Sequence, residues 1–213
     1  MTRRRESGAR RGRLAAGSPR TTWLAVVLLA LLIAPLAARA ADGDGRFAIK
    51  GAGGARCEAF VAARKARGEP YAAFRGWLNG YLTAFNQLSP ETYDIAAWEN
   101  TRLLAAVLEN HCKKNPKQPL YLAVAGLINS LKADRVQKHS PRIEAKRGET
   151  TVTLYSEVLR RAQQALADRG FYFGTIDGVY GPNTRLGFEA FQRTEKLKVT
   201  GLPDPPTLYK LLR

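Results

Sequence analysis

Between Cys57 and Leu131 apolar residues recur at three- and four-residue intervals, the spacing of amphipathic helices. Cys57, Phe60, Val61 and Arg64 begin the first series. Glu69-Pro70 opens a second, with proline near its first turn, and Phe74, Trp77, Leu78, Tyr81, Leu82 and Phe85 line one face. Ser89-Pro90-Glu91 ends it. Trp98, Leu103, Leu104, Val107 and Leu108 mark a third helix that stops near Cys112, before Asn115-Pro116. Leu120, Leu122, Val124, Leu127, Ile128 and Leu131 mark a fourth. The pattern then lapses. Residues 132–150 hold Lys132, Arg135, Lys138, Arg142, Lys146 and Arg147 with few large apolar side chains, which reads as a basic, solvated linker over 134–150.

Helical spacing returns over 151–213. Val158, Leu159, Ala162 and Leu166 form a stripe that ends at Gly170, a residue suited to a left-handed cap. Phe171-Tyr172-Phe173 leads into the glycine-rich turn Gly174–Thr184. Pro182-Asn183-Thr184 opens a helix carrying Leu186, Phe188, Phe191 and Leu197. Asp204-Pro205 opens the last, with Leu208 and Leu211; aspartate caps and proline fits the first turn. Gly178 to Thr184 and Gly201 to Thr207 have the same spacing, each running from a turn glycine to a threonine early in a helix. The unit therefore reads as two similar helix–turn–helix halves sharing a central helix, with both loops on one side of a three-helix bundle. The expected fold class is all-α: a small four-helix domain over 55–133 followed by the bundle over 151–213.

The N-terminal residues change the picture of what reaches solvent. Residues 1–20 hold seven arginines and one acid, an apolar run follows from Trp23 to Leu36, and Ala38-Arg39-Ala40 has the small-x-small form of a cleavage site. That order is a secretory signal over residues 1–40, with a flexible lead-in at 41–54. The apolar run is short of the roughly 20 residues of a spanning helix, so cleavage after Ala40 is favoured over an anchor. Arg3-Arg4 and Arg10-Arg11 keep a twin-arginine route open. The whole chain carries +16; residues 1–40 hold eight arginines and one glutamate, and removing them leaves +9. A basic exported chain is drawn to anionic envelope polymers and head groups. Export argues against nucleic acid as a partner, and no nucleic-acid motif accompanies the charge.

Cys57 and Cys112 both follow the signal, so one disulfide is the simplest reading in an oxidising compartment. Closing a loop of that length stabilises by about 4 kcal/mol. A reactive thiol or a metal ligand is the alternative, with His111 beside Cys112 and His139 the other histidine. Wall hydrolases use a zinc set, a Cys–His pair or paired carboxylates in a cleft. Glu58, Glu69, Glu91, Asp94, Glu99 and Glu109 are scattered along helical segments, so no enzyme, no metal and no cofactor is expected.

Gln163, Leu166, Gly170, Tyr172, Gly174, Ile176, Asp177, Gly178, Tyr180, Gly181, Thr184, Phe191, Gln192, Leu197, Thr200, Gly201, Asp204, Thr207 and Leu211 fall in one ordered pattern. On these residues, 157–213 resembles the three-helix peptidoglycan-binding domain of bacterial wall hydrolases and envelope proteins. Gly187 departs from it, since the family usually has alanine there. The resemblance implies peptidoglycan as the partner and makes Tyr172, Asp177, Gly178, Tyr180, Gly181, Thr184 and Gln192 the candidate binding residues. Within that set the glycines permit positive φ or close approach, and Asp177 can hold the turn through backbone N–H groups. Tyr172 and Tyr180 offer an apolar face and a hydroxyl to a ligand, or pack in the core. More loosely, Cys57, Trp77, Gly80-Tyr81-Leu82, Asn86, Cys112, Asn115-Pro116 and Leu131 resemble small disulfide-clipped helical periplasmic proteins, which include acid-stress chaperones and amidase-immunity proteins. That likeness implies a helical periplasmic module with no particular activity, and leaves another envelope protein open as a partner. The expected whole is a non-catalytic periplasmic or secreted protein, with no stable membrane insertion after cleavage, whose bundle localises the helical domain at the wall. The alternative is a chaperone- or immunity-like partner of an envelope protein, or an accessory subunit of a wall hydrolase.

Overall fold

A computed structural model describes residues 42–213. The signal segment, its cleavage after Ala40 and the export route lie outside the described residues. The chain divides into one compact unit ending at Ala48 and another spanning Ile49–Arg213. In the described part of the first, the Asp42 carboxylate accepts the Arg46 backbone N–H at 2.7 Å. Everything below concerns the second.

Four helices come first: α1 (Cys57–Ala66), α2 (Gly68–Leu88), α3 (Thr101–Lys114) and α4 (Leu120–Leu131). Cys57 and Cys112 form a disulfide that ties the start of α1 to the end of α3. Backbone bonds close the same end: Cys57 N–H donates to Gln118 O and Leu120 N–H to Ala55 O, both at 2.9 Å. Phe60, Phe74, Leu78, Leu82, Leu104, Leu108, Val124 and Ile128 fill the core between the helices. A 3-10 turn, Gly51–Gly54, lies on the indole of Trp77. A Cβ on Gly53 would stand 1.9 Å from that ring, so only glycine fits. Trp77 in turn stacks on Tyr81 at 5.1 Å between centroids.

Helix α3 starts three residues later than the periodicity of Trp98 suggests. The Asn100 side chain accepts the Leu103 N–H at 3.0 Å and fixes the N-terminus there. Trp98 instead belongs to an irregular segment crossing from one core to another. Ile95 is buried in the first cluster and Ala97 in the second.

The second cluster holds the larger surprise. Residues expected to be linker form an antiparallel hairpin, β1 (Arg142–Arg147) and β2 (Thr150–Tyr155), with Ile143 opposite Leu154 and Ala145 opposite Val152. Gly148, at φ +57, takes the first place of the two-residue turn. Ala145, Leu154 and Tyr155 are buried against α5 (Ser156–Asp168), α6 (Pro182–Thr194) and α7 (Pro205–Leu212), together with Val136 and Ala97. The fold is thus mostly helical, as the pattern implied, with one small two-stranded sheet added.

Polar bonds join the two clusters. Asp94 and Val136 exchange backbone bonds at 2.8 and 3.0 Å. The Tyr155 hydroxyl donates to Asp94 Oδ2 at 2.9 Å. Arg213, at the end of α7, reaches Glu99 at 2.6 Å and Asp134 at 2.7 Å.

Candidate functional site

Helices α5 and α6 end in the same way. Gly170, at φ +75, caps α5: its N–H donates to Ala167 O, and Phe171 N–H donates to Leu166 O. Lys196, at φ +55, caps α6: its N–H donates to Arg193 O, and Leu197 N–H donates to Gln192 O. Both are Schellman motifs. The second ends α6 at Thr194, so Leu197 lies beyond the helix on which its spacing placed it.

Each loop then folds around a buried glutamine of the preceding helix. Gln163 Oε1 accepts the Gly178 N–H at 2.7 Å, and its amide nitrogen donates toward Asp177 Oδ1, Val179 O and Thr184 Oγ1 at 3.0–3.1 Å. Gln192 Oε1 accepts the Gly201 and Thr200 N–H groups at 2.8 and 2.9 Å, and its amide nitrogen donates toward Leu202 O and Thr207 Oγ1 at 3.1 and 2.8 Å. The repeat seen as glycine-to-threonine spacing is therefore physical. A glutamine amide reads the turn glycine's N–H and one carbonyl of each loop, and holds the threonine of the next helix. Neither glutamine is exposed at all, so these bonds replace water and make each loop's shape obligatory.

The residue before each turn glycine does the same job twice. Asp177 Oδ1 accepts the Val179 N–H at 2.8 Å, and Thr200 Oγ1 accepts the Leu202 N–H at 3.2 Å. Gly178 and Gly201 then take φ of +74 and +68. A Cβ on Gly178 would lie 2.6 Å from the Ser156 carbonyl. The Gln163 amide, followed by the Val179 N–H, holds the Asp177 carboxyl below the usual carboxylate range.

These bonds sort the candidate residues. Tyr172, Gly178, Thr184 and Gln192 are buried, and the Tyr172 hydroxyl donates to Thr175 O at 2.6 Å. They build the loop. Asp177 is exposed, and Tyr180 and Gly181 are partly so. Beside them Val179 is 59% exposed. The Tyr180 hydroxyl donates to Gly201 O at 2.7 Å and so ties the first loop to the second. Burial pushes that phenol up.

Two cations not singled out in the sequence stand at this junction. Arg147, from the hairpin, donates to Thr200 O at 2.7 Å and pairs with Glu189 at 3.0 Å. Arg185 pairs with the same Glu189 oxygen at 2.6 Å. A Cβ on Gly201 would lie within 3.0 Å of both arginine side chains. The result is a phenol ring edge beside two guanidinium groups that share one carboxylate. Gln163 had a sequence signal: a polar residue on the apolar stripe of Leu159 and Leu166. Arg147 had none while its segment read as linker.

Residues 156–211 match the family model described as "Putative peptidoglycan binding domain". A 133-residue stretch is 27% identical to the N-acetylmuramoyl-L-alanine amidase CwlM of Mycobacterium tuberculosis, covering 61% of this chain and 33% of that protein. The chain thus spans a third of the length of that curated relative. Among solved structures, SltB3 from Pseudomonas aeruginosa, in complex with NAG-anhNAM-pentapeptide, is 28% identical over 49% of this chain and 26% of that chain, with a TM-score of 0.28.

Proposed function

We propose that this is a non-catalytic, exported protein whose C-terminal bundle binds peptidoglycan and holds the helical N-terminal half at the wall. The observation that carries the reading is the junction of the two loops. Tyr180, Gly181, Asp177 and Val179 form a preformed outer surface, locked from beneath by Gln163 and Gln192. Arg147 and Arg185 stand beside it with only Glu189 between them. A partly exposed tyrosine ring suits the apolar face of a sugar or a stem-peptide methyl group. Guanidinium groups suit a stem-peptide carboxylate. The family match over 156–211 names the same polymer.

Binding without chemistry is supported by where the reactive side chains are used. Both cysteines are in the disulfide. His111 bonds Gln118 at 2.6 Å, and His139 lies edge-on to Tyr93. The disulfide and the wall-binding unit both fit a periplasmic or secreted location. One test reads both halves of the proposal. Incubated with purified sacculi, the protein is expected to sediment with them and to release no soluble muropeptides. Protein left in the supernatant contradicts the binding; released fragments contradict the absence of chemistry.

A second reading has an observation of its own. The curated relative is named as a wall amidase and is about three times as long as the matched share. This chain would then serve as an accessory to a wall-cleaving enzyme, with the helical half as the contact. Mass spectrometry of proteins retained with it on sacculi would recover such an enzyme.

A further inference from the structure

Among the described residues, four arginines gather where α1, α2 and α3 meet. A pocket of about 820 Å³ is lined by Arg64, Arg67, Arg75, Arg102, Tyr71 and Asn100, among others. Each arginine comes from a different place: α1, the α1–α2 junction, the second turn of α2, and the first turn of α3. Arg64 pairs through Nε with Glu109 at 3.1 Å, but Glu109 also takes Lys113 at 2.9 Å. Arg75 lies over the Tyr71 ring at 5.9 Å. Among the described residues, Arg67 and Arg102 have no carboxylate within ion-pair distance. Glu69, in the first turn of α2, does not line the cavity.

The helix ends at the pocket also favour an anion. The pocket sits at the N-terminal ends of both α2 and α3, marked by Arg67-Gly68 and by Asn100-Thr101-Arg102. Helices of 21 and 14 residues direct their positive ends toward it. The N-terminus of α2 has no side-chain cap.

We propose that this pocket binds a phosphoryl oxyanion, either free or carried on a lipid head group. Three guanidinium groups without a carboxylate need more than one negative charge and several acceptor oxygens, which a phosphoryl group supplies and a single carboxylate does not. Arginine forks match that geometry. The pocket shares no lining residue with Tyr180, Arg147, Arg185 or Glu189, and its probes are not wall fragments, so its test and that of peptidoglycan binding can fail separately.

The test uses the whole protein with three probes: inorganic phosphate and pyrophosphate by calorimetry, and phosphatidylglycerol-containing vesicles, against pure phosphatidylcholine, by flotation. Saturable binding to at least one anionic probe is expected. The double substitution Arg67→Gln and Arg102→Gln, both at exposed positions, is expected to weaken it at least tenfold. Lys117→Gln with Lys138→Gln removes the same charge elsewhere and is expected to leave binding unchanged. Binding to the soluble anions assigns a free ligand, and binding to vesicles alone assigns a head group. Melting curves without ligand establish that each variant is folded, and Arg102→Gln alone serves if the double variant is not. No saturable binding to any probe overturns the proposal. So does an equal loss in the lysine control, which would reduce the effect to net charge.

Discussion

Gln192 shows how a single side chain can carry a loop. Its amide satisfies two backbone N–H groups and one carbonyl in a place water does not reach. Truncation leaves those groups unpaired, at about 1–3 kcal/mol for each buried donor. Gln192→Ala is therefore expected to lower unfolding free energy by about 2–4 kcal/mol, measured by urea denaturation. A loss under ~0.5 kcal/mol, the range of an ordinary surface substitution, would mean that the loop stands without it. Asp177 acts at the surface and its signature is in pH. Its folded pKa is depressed, first by the Gln163 amide and then by the Val179 N–H. Its contribution is thus present above the ordinary carboxylate range and is lost as pH falls through the depressed value. Asp177→Asn keeps an acceptor for Val179 but removes the titration. It is expected to flatten the fall in melting temperature between neutral and acid pH; an unchanged slope would show that other groups set it. Neither glutamine's role was legible as such in the sequence. What could be read was a polar residue amid apolar neighbours, and the partner N–H groups lie 15 and 9 residues away.

Elements were legible to the extent that one face of each was apolar. Every helix announced by a three- and four-residue stripe is present, and the Gly170 cap falls where the sequence put it. The hairpin escaped because β1 offers only Ala145 and the half-buried Ile143 amid lysine and arginine, while its large buried residues, Leu154 and Tyr155, come only at the end of β2. Its signal was there in the β-branched run Thr150-Thr151-Val152-Thr153 after a turn glycine. The basic charge and turn residues of 132–150 mask that run. Gly187 is a second case. In an isolated helix, alanine in its place would gain roughly 1 kcal/mol. In the fold a Cβ there would stand 2.9 Å from the Phe171 carbonyl, with Leu166 and Tyr172 behind it. The close approach of the first loop to α6 explains the glycine. Gly187→Ala is expected to destabilise by about 1–2 kcal/mol, against the propensity. A gain in thermal denaturation would show that the loop can yield.

At the scale of the whole molecule the bundle is not built from its own sequence alone. Ala97 and Val136 sit in its core, β1 supplies Ala145 and Arg147, and Arg213 reaches back to Glu99 and Asp134. A fragment beginning at Thr151, the boundary the helical pattern suggests, severs β1 from β2. It is expected to lose at least ~2 kcal/mol of apolar burial and to melt below a fragment beginning at Val136. Equal melting would make the hairpin an ornament. The sequence could not show this, because contacts such as Arg147 to Thr200 and Arg213 to Glu99 join residues 53 and 114 positions apart. Peptidoglycan binding at the loop junction can be tested at Tyr180, whose hydroxyl also ties the two loops, so binding has to be read beside stability. The most direct measurement is a sacculus-binding isotherm for the protein and for Tyr180→Ala, read beside their melting curves. A folded variant with at least fivefold weaker binding is the predicted result; a folded variant that binds sacculi as tightly as the parent would contradict it.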